Sequence, residues 1–270
     1  MDAKITDQEF ALFQRLIYRM AGINLTDTKK VLLVGRLNKR LNHYGFTTFS
    51  DYYRLLASRQ NPDELQTFVD LLTTNETYFF REPQHFDYLR SEILPARRRG
   101  AGNTFRIWSG ACSSGEEPYS MAMVLADTVP DGPWEVFASD ICQTVLNRAA
   151  AGVYPLERTS GIPREYLRKY CLKGVRSQDG KLLVAPDLRK RVRFAQVNLT
   201  MPIEGVGDFD VIFLRNVMIY FDTETKRKVI SNMLPNLKSG GFFVVGHSES
   251  LNGITDRLKP VRPTVYQKLV

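Results

Sequence analysis

The stretch that decides the fold is Phe105-Arg106-Ile107-Trp108-Ser109-Gly110-Ala111-Cys112-Ser113-Ser114-Gly115-Glu116-Glu117. An apolar, strand-like run leads into a turn of small residues, and a helix-forming segment, Pro118–Asp127, follows at once. A strand, a glycine-containing turn and a helix make the first unit of α/β sheets that bind nucleotide-like cofactors at the helix N-terminus. An ordinary strand–helix turn also uses small residues, so the loop alone leaves both alternatives open.

The turn departs from the dinucleotide-binding pattern in two ways. Cys112 stands where that pattern has its middle glycine, and Glu116 and Glu117 follow directly, where a pyrophosphate would be repelled. The turn therefore favours a cofactor without phosphates. S-adenosylmethionine fits, because it carries a cationic sulfonium, an amino-acid tail and a ribose.

The sequence after Thr104 alternates strand and helix patterns, which predicts a parallel sheet. Asp140 directly follows the second predicted strand, 25 residues after Gly115, roughly where such folds place an acid that accepts from ribose hydroxyls. It could also cap the next helix, and both roles are compatible. Asn198-Leu199, Asn216-Val217 and Tyr220 follow later strands and should reach the same carboxyl edge. The predicted strands are Phe105–Ser109, Trp134–Ser139, Val192–Gln196, Val211–Leu214, Phe242–Gly246 and Thr264–Leu269, with helices at Pro118–Asp127, Gln143–Ala150 and Glu224–Leu237 and a closing hairpin after a Gly240-Gly241 turn.

Residues 1–72 have the apolar spacing of helices and predict an all-helical domain. Thr6 and Glu9 form a capping box before the first helix. On the helix predicted from Asp27 to Tyr44, four basic residues share a side that differs from the apolar one. That basic stripe is either a solvated face or a docking surface for an acidic partner helix. Its members are Lys29, Arg36, Arg40 and His43.

Residues 73–90 are predicted to link the helical domain to the α/β domain, which spans 91–270. The linker is unusually aromatic, so we expect it to pack along a cleft rather than lie in solvent. Arg81 in this linker either forms an ion pair at the surface or points the rigid, planar set of N–H donors of its guanidinium group at a carboxylate.

The net charge of +8 is concentrated in one place, because residues 157–193 carry eleven Lys or Arg against four Asp or Glu. They belong to an insertion at about 155–191 that interrupts the alternation of strands and helices. Tyr170–Arg176 and Lys181–Val184 predict an antiparallel hairpin around an Asp-Gly turn. Its edge is either a strand-addition site for a peptide or a basic flap without a partner.

Two further features bear on the cellular setting. The three cysteines are odd in number, widely spaced and without metal-ligand spacing, which suggests a reducing cytoplasm. The start of the chain does not read as a secretory signal, and no apolar run approaches the 18 residues of a membrane span.

Four motifs in order resemble the CheR-type chemoreceptor glutamate methyltransferases. They are Leu72–Glu82, Trp108–Ser120, Ala138–Ile141 and Arg215–Phe221, and the resemblance covers nearly the whole chain. It implies a Rossmann-like class I methyltransferase sheet with an N-terminal all-helical domain and a small antiparallel β-subdomain. It also implies a cytoplasmic enzyme, recruited to receptor arrays at the inner membrane, that converts S-adenosylmethionine to S-adenosylhomocysteine while esterifying glutamates on cytoplasmic receptor helices.

The resemblance also implies roles for individual residues. Arg81 and Tyr220 would lie beside the transferred methyl group, and the basic stripe would dock acidic receptor helices. In some members the β-subdomain binds a C-terminal receptor peptide, which makes the insertion a candidate site for one. The implied cofactor contacts are Asn75, Thr77, Arg81, Glu117, Asp140, Asn198, Leu199, Asn216 and Val217.

Two rival functions follow from other features. The basic pI of about 9.4 suggests a nucleic-acid methyltransferase. However, ring-amine methylation usually needs an Asn/Asp-Pro-Pro-aromatic motif after the fourth strand, where this chain has Arg215-Asn216-Val217-Met218. The other rival is a module that senses S-adenosylmethionine without transferring its methyl group. Neither a nucleic-acid partner nor a metal is predicted.

Overall fold

The computed structural model describes residues 3–98 and 104–269. Within the first of these ranges, an N-terminal bundle of four α-helices packs Phe13 against Phe49, Tyr52 and Phe68 in its core. A 3₁₀ turn, Asp27–Lys29, precedes the second helix. The helices are α1 Asp7–Ala21, α2 Lys30–Tyr44, α3 Phe49–Ala57 and α4 Pro62–Leu72.

The capping box predicted for α1 is confirmed. The Thr6 hydroxyl accepts from the Glu9 backbone N–H at 3.2 Å, and the Glu9 carboxylate accepts from the Thr6 backbone N–H at 2.9 Å. Two of the N–H groups that a helix start leaves unpaired are thereby satisfied. Gly22, with φ of 70°, ends α1 in the left-handed conformation that glycine adopts without strain.

The segment after α4 begins without regular structure, at residues 73–78, and then becomes helical. One helical rod runs from Gln84 to Arg98, because α5 Gln84–Tyr88 continues through a π-helical turn, Leu89–Ile93, into α6 Leu94–Arg98. The predicted linker of 73–90 therefore holds two structures, an irregular stretch and the first turns of a helix.

The rest of the chain builds a seven-stranded sheet and a small three-stranded one. Five strands of the large sheet are parallel, in the order β6-β2-β1-β7-β8, and β10 and β9 extend it with antiparallel pairings. The strands are β1 Phe105–Gly110, β2 Trp134–Asp140, β3 Val153–Pro155, β4 Cys171–Lys173, β5 Lys181–Val184, β6 Val192–Gln196, β7 Phe209–Leu214, β8 Leu237–Val245, β9 Leu258–Arg262 and β10 Val265–Lys268; the helices are α7 Glu116–Thr128, α8 Gln143–Ala151, α9 Arg164–Tyr170, α10 Pro186–Arg189 and α11 Thr223–Met233.

The sheet is buried on both faces. Ile107 of β1 belongs to the cluster under α7, and its neighbour Trp108 belongs to the cluster under α11. Since β2 lies on one side of β1 and β7 on the other, the strand order reverses at β1. Open α/β sheets bind ligands at the carboxyl ends of the strands beside such a switch point.

Two details at the end of the chain differ from the sequence-based prediction. Gly240 and Gly241 are not a turn: they lie inside β8, where pairing with β7 jumps from Leu237 to Phe242 and Gly240 has φ of 71°. The chain bulges there and continues in the same direction. The predicted pairing of the strand at Phe242–Gly246 with the C-terminal strand is confirmed, because β8 and β10 pair antiparallel. However, β9, which had not been predicted, lies between them in the chain and forms the closing hairpin with β10.

The insertion contains one strand more than the predicted hairpin. β5 is central, with β4 on one side and β3 on the other, so the small sheet has two edges. In the described ranges, no helix combines the length and apolar character that crossing a bilayer requires.

Candidate active site

A cleft lies beyond the carboxyl ends of β1, β2, β6 and β7, and the N-terminal bundle and the segment after α4 form its other wall. It encloses about 1060 Å³, including its open mouth. The structure brings together in this one cleft every residue predicted to contact cofactor or the transferred methyl: Asn75, Thr77, Arg81, Glu117, Asp140, Asn198, Leu199, Asn216, Val217 and Tyr220.

Contacts between the helical bundle and the sheet fix the shape of this cleft. Asn198 donates from Nδ2 to the Met20 carbonyl at 2.6 Å, at the end of α1. The Asn24 backbone N–H donates to the Tyr220 carbonyl at 2.9 Å. Gln66 of α4 donates to the Ile141 carbonyl, also at 2.9 Å.

The loop between β1 and α7 explains why a cysteine can replace the middle glycine. Left-handed backbone occurs at Ala111, Ser113 and Gly115, with φ of 57°, 51° and 94°, but not at Cys112. A side chain is therefore unstrained at position 112. Glycine is favoured at position 115 for two reasons: its φ of 94° is left-handed, and a Cβ there would stand 2.8 Å from the Cβ of Ala149.

Asp140 uses its carboxylate to close this loop. Its Oδ2 accepts from the Ser113 backbone N–H at 2.8 Å, and its Oδ1 accepts from the Cys142 N–H at 2.9 Å. Asp140 does not cap the first turn of α8; Asp70 of α4 does, accepting from the Gln143 and Thr144 N–H groups at 3.2 and 2.9 Å. Asp140 is 6% exposed, and burial raises the pKa of its carboxyl group.

The loop's hydrogen bonds fit a cofactor without phosphates. The Ser113 N–H, which could hold a phosphate oxygen, already binds the Asp140 carboxylate, and the Cys112 N–H binds the Ser139 carbonyl at 2.9 Å. A pyrophosphate would find an acid here in place of free donors. A ribose, whose hydroxyls can donate to Asp140, suits these groups.

Arg215, at the end of β7, joins the loop wall of the cleft to the segment after α4. Its Nη1 donates to Glu117 Oε2 at 2.7 Å, and its Nη2 donates to Glu82 Oε2 at 2.9 Å and to the Arg81 carbonyl at 2.5 Å. Its side chain is only 2% exposed. Glu117 also accepts from the Ser109 hydroxyl at 2.7 Å. One buried cation thus positions both the pocket carboxylate of Glu117 and the backbone of Arg81.

The charge of Arg215 dominates the ionisation of Glu82. Burial alone would raise the pKa of Glu82, but the hydrogen bond and charge of Arg215, together with hydrogen bonds from Asn216 and the His247 backbone, outweigh it and lower the pKa to about 2. Glu82 therefore stays ionised at neutral pH. Its backbone is left-handed, with φ of 57°, and so is that of Asn216, whose Nδ2 donates to Glu82 Oε1 at 3.2 Å.

Glu249 holds the turn that carries Asn216 and Val217. Its carboxylate accepts from the backbone N–H groups of Asn216 and Met218, both at 2.8 Å, and from that of Gly246 at 2.7 Å. Burial raises the pKa of this carboxyl group. Because three backbone donors converge on one side chain, the turn after β7 has a single defined geometry.

The irregular segment supplies the wall that faces the loop. The Ser113 hydroxyl donates to the Asn75 carbonyl at 2.9 Å, and Arg158 of the β-subdomain donates to the Thr77 carbonyl at 3.1 Å. Arg81 is partly exposed; its Nη1 donates to the Glu76 carbonyl at 3.0 Å, and its guanidinium lies 5.6 Å from the centre of the Tyr78 ring.

The basic stripe runs from Lys29, in the turn before α2, along α2 itself; it does not line the cleft, and its members differ in their surroundings. Lys29 and His43 are exposed. Arg40 is held by the buried Glu64, with Nε 2.8 Å from Oε1. Arg36 donates to the carbonyl of Thr73 at 2.9 Å, just below the cleft. Because Thr73 lines the cleft, this hydrogen bond connects the stripe to the cleft. Burial lowers the pKa of Arg36.

Sequence reasoning missed the parts played by Arg215, Glu249 and Asp70. One signal for Arg215 was available: it follows six apolar or buried strand positions directly and precedes Asn216, at the edge where ligands bind. Glu249 and Asp70 gave no such signal, because their partners are backbone groups that are distant in sequence or belong to the neighbouring domain.

Comparisons with known proteins identify the family to which the chain belongs. Residues 8–73 match the family model of the CheR methyltransferase all-alpha domain, and residues 75–267 match that of the CheR methyltransferase SAM-binding domain. The chemotaxis protein methyltransferase of Escherichia coli K12 is 42% identical over 97% of this chain and 91% of its own length. The one from Salmonella typhimurium LT2 is 40% identical over 97% and 90%, and chemotaxis protein methyltransferase 2 of Pseudomonas aeruginosa PAO1 is 39% identical over 97% and 93%. The chain belongs to the CheR family of S-adenosylmethionine-dependent methyltransferases.

Proposed function

We propose that this enzyme methylates the side-chain carboxylates of specific glutamates in the cytoplasmic helices of chemoreceptors, forming glutamyl methyl esters. One observation carries the proposal: Arg81 and Tyr220 line the same cleft as the polar residues suited to a nucleoside without phosphates. The relatives named as chemotaxis methyltransferases support the choice of substrate.

Bound S-adenosylmethionine supplies a methyl group on a positively charged sulfur. A glutamate carboxylate, with its usual pKa of about 4.3, is already ionised at neutral pH and needs no general base. The protein's contribution is therefore positioning and electrostatics. Arg81 orients the carboxylate or the cofactor's tail, and Tyr220 aligns the incoming oxygen.

We assign the cofactor contacts to the residues that line the cleft. Asp140 accepts from the ribose hydroxyls, since its oxygens lie at the carboxyl end of β2. Glu117 faces the positive charge and hydroxyl donors of the cofactor, and Arg215 fixes its orientation. The remaining contacts are Asn75, Thr77, Arg81, Asn198, Leu199, Asn216 and Val217.

The basic stripe on α2 is the proposed docking surface for acidic receptor helices. Lys29 and His43 are its exposed members, and Arg36 donates to the carbonyl of Thr73, which lines the cleft. The charge of Arg40 is largely matched by Glu64, so we expect Arg40 to hold α2 in place more than to bind the receptor. Docking through exposed charges should weaken as ionic strength rises.

The β-subdomain is the proposed site for a C-terminal receptor peptide, which would bring the enzyme to receptor arrays at the inner membrane. Both outer strands of its sheet offer an edge, and Leu172 on β4 and Val175 after it are 51% and 70% exposed. An added strand would gain backbone hydrogen bonds along such an edge. Calorimetric titration with receptor C-terminal peptides tests this: absence of heat would argue against the tether.

A filter assay with methyl-labelled S-adenosylmethionine tests the function. We expect base-labile label on chemoreceptor membranes. Label on nucleic acid would instead support a nucleic-acid methyltransferase, and cofactor binding without transfer would support a sensor.

The same assay tests the role of Arg81. Arg81→Ala should lose transfer by at least about 100-fold with its fold intact. Arg54→Ala, on the exposed side of α3, is the control and should behave as wild type. Near-normal transfer by folded Arg81→Ala protein would contradict the role of Arg81.

A further inference from the structure

Three potential metal ligands meet beside Arg215, one of the residues that line the cleft. Glu82 precedes α5, His85 lies within α5, and His247 follows β8. One ligand atom from each residue lies within 4.8 Å of the other two. Glu82 Oε2 is 3.5 Å from His85 Nδ1 and 4.0 Å from His247 Nε2. The two imidazole rings are 4.9 Å apart between centres.

His85 Nε2 forms a hydrogen bond with the Thr264 hydroxyl at 2.7 Å. The tautomer that carries the proton on Nε2 donates in that bond and leaves a lone pair on Nδ1, which is the form of histidine that binds a metal ion.

This arrangement leaves two acceptors facing each other. His85 is 4% exposed, and its Nδ1 has no hydrogen-bond partner. The atom it faces, Glu82 Oε2, is a carboxylate oxygen and offers no proton. A cation between the two atoms would pair with both acceptors and would therefore favour this tautomer.

The donor set identifies the class of cation. Two imidazole nitrogens and one carboxylate oxygen suit zinc and its neighbours, whereas magnesium and calcium prefer oxygen ligands alone. In a tetrahedral zinc site the ligand atoms are about 3.3 Å apart. The separations of 3.5 and 4.0 Å approach that value, and His247, whose side chain is 48% exposed, can turn inward to complete the site.

We propose that Glu82, His85 and His247 form a binding site for a divalent transition-metal ion of the zinc type, with water in the remaining position. Arg215 shares Glu82 Oε2 at 2.9 Å, so the guanidinium competes with the ion. The affinity should therefore be lower than that of a site built from three uncommitted ligands. The site is distinct from the transfer cleft and does not depend on the proposed receptor substrate.

Cobalt(II) titration of the untagged, full-length protein, followed by its visible absorption and then by displacement with zinc, measures this site. The chain has three histidines, which provides a matched control. We expect one equivalent to bind wild type and His43→Gln equally, whereas His247→Gln should lose at least about tenfold in affinity. Cys171→Ser should also bind as wild type does, because Cys171 is the free cysteine that is not fully buried.

Equal binding by His247→Gln and wild type would overturn the proposal, as would loss of binding in His43→Gln or Cys171→Ser. Nuclear magnetic resonance of ¹⁵N-labelled histidine supplies a second readout that needs no variant. Zinc should shift the His85 Nδ1 resonance and leave Nε2 protonated. If zinc leaves the His85 resonances unchanged, the site does not exist.

Discussion

Replacing Arg215 with alanine removes the cation that two largely buried carboxylates share. Arg215 pairs with Glu82 at 2.9 Å and with Glu117 at 2.7 Å, and the side chains of these acids are 13% and 12% exposed. Arg90 and Asp87 form a pair with the same 2.9 Å separation but side chains that are 50% and 63% exposed. The two arginines therefore differ in burial and in the number of carboxylates they pair with.

Burial sets the expected magnitudes. Removing one partner of a buried ion pair costs about 3–5 kcal/mol, since the other charge stays behind without a partner. Lowering the Glu82 pKa from 4.5 to about 2 corresponds to roughly 3 kcal/mol by linkage, in the same range. An exposed pair contributes less than about 1 kcal/mol. Arg215→Ala should thus cost several times more free energy of unfolding than Arg90→Ala.

Urea unfolding of wild type and both variants, followed by circular dichroism, measures these costs. The pH dependence gives a second check. Because the folded pKa of Glu82 is lowered, its stabilisation is fully present above pH 4.5 and is lost as the pH falls towards 2. The stability difference between wild type and Arg215→Ala should therefore shrink below pH 4.5. Equal costs for Arg215→Ala and Arg90→Ala, or a difference that stays constant down to pH 3, would refute the reasoning.

Three further predictions concern the loop and its surroundings. Gly115→Ala should destabilise the protein by about 1–3 kcal/mol more than Gly45→Ala. Both glycines have positive φ, but of the two only Gly115 has other atoms within 4 Å of the position that a Cβ would take. Equal urea midpoints for the two variants would contradict this prediction. Asp70→Ala should lower the free energy of unfolding by about 1–2 kcal/mol, since it removes the acceptor for the first N–H groups of α8. An unchanged urea midpoint would show that water takes the place of the Asp70 carboxylate. Asp140→Asn should weaken S-adenosylmethionine binding by about tenfold or more in calorimetry. Asp131 is exposed, so Asp131→Asn should bind as wild type does. Equal affinities of Asp140→Asn and wild type would exclude Asp140 as the ribose acceptor.

The large sheet could be predicted from the sequence wherever a strand is buried. β7 is buried at all six positions, and it appears in the sequence as an apolar run bounded by polar residues. β9 was missed because only Leu258 of its five residues is buried and Pro260 interrupts it. β3 was missed because three residues with one buried side chain give no periodic signal.

The candidate site was predictable to the extent that strand ends and motif resemblance determine it. Asp140, Asn198 and Asn216 follow strands that meet at one edge, so their convergence follows from topology. The network around Arg215 was not predictable, because it joins residues 82, 117 and 215 through side-chain orientations that no local pattern encodes. The ion pair between Arg40 and Glu64 could not be predicted for the same reason.

The most direct test of the central claim is mass spectrometry of chemoreceptor cytoplasmic domains after incubation with this protein and S-adenosylmethionine. Wild-type protein should leave methyl esters on glutamate side chains of the receptor helices, and alkali should remove them. Arg81→Ala protein with an unchanged unfolding midpoint should leave almost none. Methyl groups on other residue types, or equal esterification by wild type and Arg81→Ala, would contradict the account of the cleft as a glutamate methyltransferase site.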